Sequence, residues 1–313
     1  MNQLKIFSGR SNRPLAEEIA EKVGLPLGEV QIRQFSDGEL WVKYAENIRG
    51  EDVFIIQSTH SPAENILELV LLIDAAVRSS ADRVTAVIPY YGYGRQDRKD
   101  QPRVPISARV MIDLMTSVGV NRILTMDMHS SQIQGFTTLP FDHLYARQIL
   151  FDRLRKLDLR TEGAVILAPD VGNAPMAQSF AKHLGVGFAL VDKRRTAPNQ
   201  AEVVHLIGDL QGKKVIILDD MIDTGGTIVN AGQAAMEKGA DSVIAVATHG
   251  ILSGDAPRIF TESELEKIII SNTVNLPEGR KFDKLEIISV AGLFARAIEC
   301  IHNGESISAL FEF

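Results

Sequence analysis

The densest chemistry in the chain lies at Val215-Ile216-Ile217-Leu218-Asp219-Asp220-Met221-Ile222-Asp223-Thr224-Gly225-Gly226-Thr227. An apolar run ends in two carboxylates, and a Thr-Gly-Gly-Thr turn then opens a helical stretch. Glycines let backbone N–H groups converge on an anion, and the helix N-terminus adds a favourable dipole. The hydroxyls of Thr224 and Thr227 add further donors. This is phosphate-binding chemistry, with Asp219 and Asp220 placed to grip sugar hydroxyls beside the phosphate. Asp223 belongs to the same segment as a brace of the loop, since a carboxylate and a phosphate repel. Glycines alone at such a junction also describe a plain strand-to-helix turn with aspartate as its cap.

Positive groups gather at two other places. Arg95, Arg98 and Lys99, within Tyr90-Tyr91-Gly92-Tyr93-Gly94-Arg95-Gln96-Asp97-Arg98-Lys99, form a cluster suited to a triphosphate. No G-x-x-x-x-G-K-[ST] string occurs, and Gly92-Tyr93-Gly94 is only a fragment of a dinucleotide fingerprint. Lys193-Arg194-Arg195 closes an apolar run and enters 196–202, which contains Pro198-Asn199. A cationic loop over an anionic site suits phosphoryl transfer; a solvated charge run is the plain alternative. His129 follows another apolar run and, by itself, reads as a hydrogen-bonded histidine at a sheet edge.

Positioning these residues requires rigid elements. Short runs rich in Val and Ile recur at 53–57, 84–89, 122–126, 165–168, 188–191, 215–218, 243–247 and 268–270. Amphipathic helical stretches lie between many of them, at 64–80, 107–118, 174–184 and 227–238. Strands apolar on both faces, alternating with helices, predict α/β architecture with parallel sheets covered on both sides. Two α/β halves meet near residue 146, and a strand, polar turn and helix recurring in both hints at duplication.

With 313 residues the chain suits two ordinary domains. A net charge of −7 leaves no basic excess for nucleic acid or a membrane surface. Cys300 is the only cysteine, which excludes an internal disulfide. Met1-Asn2-Gln3-Leu4-Lys5 lacks the pattern of a signal peptide, and no apolar run reaches the roughly 20 residues of a membrane span. A cytoplasmic protein is expected, without nucleic-acid or membrane partners.

The two acids, spacer and Asp223-Thr224-Gly225-Gly226-Thr227 resemble the ribose-phosphate loop of the type I phosphoribosyltransferase superfamily. Phe35-Ser36-Asp37-Gly38-Glu39 and the 90–99 segment resemble nucleotide-binding segments of ribose-phosphate pyrophosphokinases. Asp127-Met128-His129, Gln132-Ile133-Gln134-Gly135-Phe136, Asp192-Lys193-Arg194-Arg195 and Thr248-His249 resemble the same family. The likeness runs from Phe7 to Phe311 in the family's order and spacing.

That resemblance implies two tandem phosphoribosyltransferase-like domains, each a mainly parallel sheet flanked by helices. Residues 1–146 would carry the ATP-binding segments, and 147–313 the ribose-5-phosphate loop and the catalytic loop. It implies transfer of the β,γ-diphosphoryl group of Mg-ATP to the 1-hydroxyl of ribose 5-phosphate. Phe35, Asp37, Gly38 and Glu39 would cradle adenine from a neighbouring subunit, while Arg95 and Gln96 contact ATP. His129 and Asp170 would flank Mg2+. Lys193 and Arg195 would be catalytic, with Arg195, Asp219, Asp220, Asp223, Thr224, Gly225, Gly226 and Thr227 on ribose 5-phosphate. Arg49, Ser80, Gln134, Ser306, Ser308 and Phe311 resemble a subunit-interface site for activating phosphate or inhibitory ADP. A homo-oligomer is implied, a hexamer built from dimers.

The sequence departs from the family's pattern at four places. Asn173 stands where glycine is usual, and Met176 where arginine is usual. Gly250 replaces a proline, and Gln101-Pro102 replace a basic and a hydroxyl residue before Arg103. Asparagine tolerates left-handed backbone better than most residues, so the turn is expected to survive. The guanidinium missing at 176 leaves two alternatives open: a non-catalytic regulatory subunit, or a salvage phosphoribosyltransferase that leaves the first half unexplained.

Overall fold

The computed structural model describes residues 2–157, 159, 163–194 and 203–310. Packing divides the chain into two compact units, each described by itself. One is Met1–Ala146 with Thr273–Asn275 and Ser289–Phe313; the other is Arg147–Asn272 with Leu276–Ile288. The C-terminal segment therefore packs with the first unit, whereas a division by sequence at residue 146 assigns it to the second.

The first unit opens with β1 (Leu4–Ser8), α1 (Arg13–Val23) and an antiparallel hairpin of β2 (Val30–Gln34) and β3 (Leu40–Tyr44). There follow β4 (Asp52–Ile56), α2 (Glu64–Arg78), β5 (Arg83–Ile88), α3 (Ser107–Ser117), β6 (Arg122–Met126) and β7 (Phe141–Leu144). The main sheet has the order β1-β4-β5-β6-β7 and is parallel throughout. β4 reads Asp-Val-Phe-Ile-Ile and is buried at all five positions, as expected of a strand covered on both faces. The hairpin lays Val30, Ile32 and Val42 on the same core, which leaves its turn, 35–39, projecting beyond that packed face.

The second unit runs α4 (Arg147–Arg155), β8 (Ala164–Ala168), α5 (Ala174–Leu184), β9 (Gly187–Arg194) and β10 (Val203–Ile207). It continues through β11 (Lys214–Ile222), α6 (Gly226–Glu237), β12 (Ser242–Gly250), α7 (Ala256–Glu262), β13 (Lys267–Ser271) and β14 (Leu285–Ile288). Its sheet has the order β10-β9-β8-β11-β12-β13-β14, parallel except where β10 turns back along β9. Strand order reverses between β8 and β11. Such a reversal opens a crevice at the carboxyl ends of the two strands, where ligands of α/β sheets commonly bind.

The duplication hinted at in the sequence becomes specific at two helices. α1 is entered through Asn12-Arg13-Pro14-Leu15-Ala16 and α5 through Asn173-Ala174-Pro175-Met176-Ala177. Both have proline in the first turn, where its missing N–H costs nothing. Both end at a left-handed glycine, Gly24 at φ 77° and Gly185 at φ 69°.

The last helix, α8 (Ala291–Asn303), packs on α1 within the first unit. One carboxylate fastens it. Asp52 is buried at the start of β4, where Arg83 grips both its oxygens, through Nε at 2.8 Å and through Nη2. His302 Nδ1 lies 2.8 Å from the same carboxylate, and Arg83 Nη2 also donates to the Ile301 carbonyl at 3.0 Å. Removing one partner of a buried ion pair strands the other. Asp52→Ala is therefore expected to lower unfolding free energy by about 2–4 kcal/mol, somewhat below the usual cost because water reaches part of Arg83. Urea denaturation measures it, and an unchanged midpoint would show that the carboxylate does not fasten the helix.

Candidate active site

The crevice of the second unit is built by the ends of β8 and β11. Pairing between them covers only Lys214–Ile217 against Ala164–Leu167. β11 continues beside β12 to Ile222, so Asp219 and Asp220 stand past the last pairing with β8. On the β8 side the chain turns through Pro169-Asp170-Val171-Gly172-Asn173 into α5. The Asn173 N–H donates to Asp170 Oδ1 at 3.0 Å, and the Asn173 carboxamide nitrogen donates to Asp219 Oδ1 at 2.9 Å. The Asp220 N–H donates to the same Asp219 oxygen at 2.8 Å. Three carboxylates from two strand ends, Asp170, Asp219 and Asp220, are thus drawn into one cluster.

Beside them the 224–227 loop enters α6. Gly225 has φ 84°, a region open to glycine and strained for other residues. A side chain there would also meet the Phe260 ring at 2.8 Å. Gly226 faces open space, so nothing crowds the approach to the helix N-terminus. The first-turn amides of a helix lack intrahelical acceptors, and no side chain caps this one. Thr224 and Thr227 are exposed on either side. Asp223 accepts a hydrogen bond from Ser253 Oγ, and its carbonyl accepts from the Ser253 N–H at 3.0 Å. Ser253 lies 30 residues downstream, so no local pattern marked it as the partner of this loop.

In the first unit, loops from the adjacent parallel strands β5 and β6 enclose a cavity of about 930 Å³. Arg95, Gln96 and Arg98 line one side, and His129, Gln132 and Phe136 another. The backbone is committed to this shape. A side chain at Gly92 would strike the Thr59 carbonyl oxygen at 2.0 Å, and the Gly92 N–H donates to Thr59 Oγ1 at 2.8 Å. Gln96 is held at the start of α3, where Ser107 Oγ donates to its side-chain oxygen at 2.6 Å. Of the basic cluster read from sequence, Arg95 and Arg98 line the cavity, while Lys99 is exposed and does not.

The other expected residues are distributed as follows. Phe35, Asp37, Gly38 and Glu39 form the turn of the β2–β3 hairpin. The Phe35 N–H donates to the Glu39 carbonyl at 2.8 Å, and Gly38 has φ 96°. Phe35 is 56% exposed, which is costly for so large an apolar ring unless something covers it. Lys193 is in β9, opposite Val204 of β10; Arg195 and Phe311 lie outside the described residues. Arg49 Nη1 donates to Ser80 Oγ at 3.1 Å, and Ser306 Oγ lies 3.0 Å from Ser308 Oγ. Gln134 is exposed in a short 3-10 turn after β6.

Electrostatics distinguish Asp219 from the other acids. Burial pushes its carboxyl up to about 8, and Asp220 and Asp170 push the same way. Among the described residues, no group of three or more His, Cys, Asp or Glu side chains is arranged to hold a metal ion by itself. Stability should follow the proton. Unfolded, Asp219 ionises near pH 4; folded, it keeps its proton until about 8. Its contribution is whole below about pH 4 and is lost as pH rises toward and through about 8. In metal-free protein, Asp219→Asn should therefore gain stability relative to wild type between about pH 5 and about pH 8. Parallel pH profiles of the two proteins would show that Asp219 is not held protonated.

Comparison with known proteins places the chain in a family. The chain matches the N-terminal domain of ribose phosphate pyrophosphokinase over residues 4–119 and a phosphoribosyl synthetase-associated domain over 192–312. It is 50% identical to the ribose-phosphate pyrophosphokinase of Chlorobaculum tepidum, over 99% of this chain and 95% of that one. To the Aquifex aeolicus ribose-phosphate pyrophosphokinase it is 47% identical, over 99% and 100%. The crystal structure of phosphoribosylpyrophosphate synthetase from Mycobacterium smegmatis superposes with a TM-score of 0.92 at 37% identity, covering 97% of this chain and all of that one. With matches to both family models and to relatives over nearly its whole length, the chain belongs to the ribose-phosphate pyrophosphokinase family.

Proposed function

We infer that the chain transfers the β,γ-diphosphoryl group of ATP to the 1-hydroxyl of ribose 5-phosphate, forming phosphoribosyl pyrophosphate and AMP. The observation that carries this reading is the β11–α6 junction. An uncapped helix N-terminus with open space at Gly226 adjoins two strand-end carboxylates. A sugar phosphate needs both features at once. The first unit's cavity supplies a separate, partly cationic chamber beside His129. A salvage phosphoribosyltransferase would have no use for it. The regulatory reading is disfavoured by the intact phosphate loop and Lys193.

In this mechanism the phosphate loop anchors the 5-phosphate through backbone amides and the Thr224 and Thr227 hydroxyls. Asp219 and Asp220 accept from ribose hydroxyls and orient the 1-hydroxyl for in-line attack. Arg95 and Gln96 hold ATP, with the Phe35 hairpin of a neighbouring subunit against the adenine, which would cover its exposed ring. Asp170 and His129 are the protein contacts proposed for magnesium, which when bound withdraws charge from ATP oxygens. Lys193 and Arg195 neutralise the transferring group, and no side-chain nucleophile is needed.

Incubation of the protein with Mg-ATP and ribose 5-phosphate should yield AMP and phosphoribosyl pyrophosphate in equal amounts. Lys193→Ala should lower turnover by at least about 100-fold while ATP binding is kept, because its charge acts chiefly in the transition state. Absence of AMP from the wild type would overturn the activity, and near-normal turnover in the variant would remove Lys193 from it.

We further propose a cytoplasmic homo-oligomer, a hexamer built from dimers, activated by inorganic phosphate and inhibited by ADP at a second site. The Arg49–Ser80 and Ser306–Ser308 pairs, with Gln134, supply its donors, and Phe311 is assigned to the same proposed site. Among the described residues no helix is long and apolar enough to cross a membrane. ADP titrated at saturating ATP should still inhibit the wild type, and less so Ser308→Ala. Inhibition abolished by ATP in both proteins alike would exclude the second site.

A further inference from the structure

Asn173 stands where the family's pattern has glycine, so the pattern gives it no role. Its position suggests an ordinary one, because asparagine is a favoured helix N-cap and Asn173 precedes α5. The structure does not use it that way. Asn173 has φ −85° and ψ −6°, and its side chain makes no capping bond. The carboxamide is turned instead to the strand ends, with Nδ2 2.9 Å from Asp219 Oδ1 and 3.4 Å from Asp170 Oδ1. Each of those oxygens already accepts a backbone N–H and so is an acceptor, and the amide therefore presents nitrogen rather than oxygen to them.

The Asn173 backbone N–H donates to Asp170 Oδ1 at 3.0 Å, and the Asp220 N–H to Asp219 Oδ1 at 2.8 Å. Each aspartate is thus fixed through its Oδ1 by neutral donors, and Asn173 is the residue common to both. Asn12, in the corresponding place before α1, also makes no capping bond, and its carboxamide donates to the Thr273 carbonyl at 3.1 Å. In the first unit the amide ties backbone; in the second it ties carboxylates.

We propose that Asn173 is a positioning residue for the reaction, a neutral clasp joining Asp170 to Asp219 and presetting Asp219 to receive the ribose hydroxyls. It rests on the reading that Asp219 binds those hydroxyls. Leaving a buried acceptor without its donor costs enough to change affinity about 10-fold or more. Asn173→Ala should therefore raise KM for ribose 5-phosphate about 10-fold, with kcat and KM for ATP within about threefold of wild type. Asn173→Asp keeps the shape but replaces the donor by a third carboxylate, and should cost more than Asn173→Ala.

Calorimetric titration of the magnesium-loaded protein with ribose 5-phosphate gives a readout that does not require turnover. Weaker binding in both variants, with thermal midpoints near wild type, supports the clasp. Wild-type affinity in both overturns it. A fall in ATP affinity and thermal midpoint alongside ribose 5-phosphate affinity also overturns it, as that outcome marks a structural role. Asn173→Gly, which the backbone tolerates, replaces Asn173→Ala should that variant not fold. Asp219→Asn separates the two levels. If it binds ribose 5-phosphate normally, the assignment of Asp219 fails and the clasp with it; if only Asp219→Asn loses affinity, the clasp alone fails.

Discussion

Repulsion among carboxylates gathered at two strand ends is the constraint that shapes the second unit. Asp219 and Asp220 leave a strand buried along most of its length, and Asp170 leaves its neighbour. Burial and the adjacent charges drive the Asp219 carboxyl toward its protonated form. Acids crowded in this way must be held in place against their own repulsion. Here neutral donors hold them. Backbone amides at Asn173 and Asp220, and the Asn173 side chain, fill that role. The turn into α5, the register of β11 against β8 and the brace of Asp223 by Ser253 fix where those donors point.

The two units form their open spaces by different routes. In the second, strand order reverses between β8 and β11, and the crevice is a consequence of topology. The first has strands in simple chain order, so its sheet contains no reversal. Its cavity depends on long loops after β5 and β6, made possible by close backbone approach at Gly92 against Thr59. The shared entry through asparagine and proline into α1 and α5 shows common construction beneath this difference.

Much of this was legible in the sequence because the controlling signals are local. Apolar runs without alternation located the buried strands, and 122–126 and 174–184 coincide with β6 and α5. The turn into α6 was legible because its glycines and threonines sit within four consecutive residues. What escaped were features set by distant partners. β9 runs to Arg194 because β10 pairs antiparallel with it, and periodicity at 188–191 carries no sign of that. Ser253 is polar and unremarkable until the fold places it on Asp223. Lys99 reads as part of a cationic cluster, but the turn of the loop carries it away from the cavity.

The departures from the family's pattern also take their meaning from neighbours. A side chain at Gly250 would meet Ile270 Cδ1 at 2.2 Å and Cγ2 at 3.0 Å. With isoleucine at 270, a proline cannot be accommodated there without repacking the buried pair of β12 and β13. Glycine is therefore the residue that Ile270 permits, and the substitution says nothing about lost activity. Asn173 follows the same logic with opposite sign, since it adds a donor where glycine offers none. Met176 is half-buried in the first turn of α5, and a thioether there fills space without charge. These changes keep the carboxylate cluster, the loop at Gly225 and the open approach at Gly226. A chain released from catalysis has no physical reason to keep a buried acid whose carboxyl is forced toward protonation, because that acid costs stability as pH rises. Retention of Asp219 together with its neutral donors is what argues for a working site.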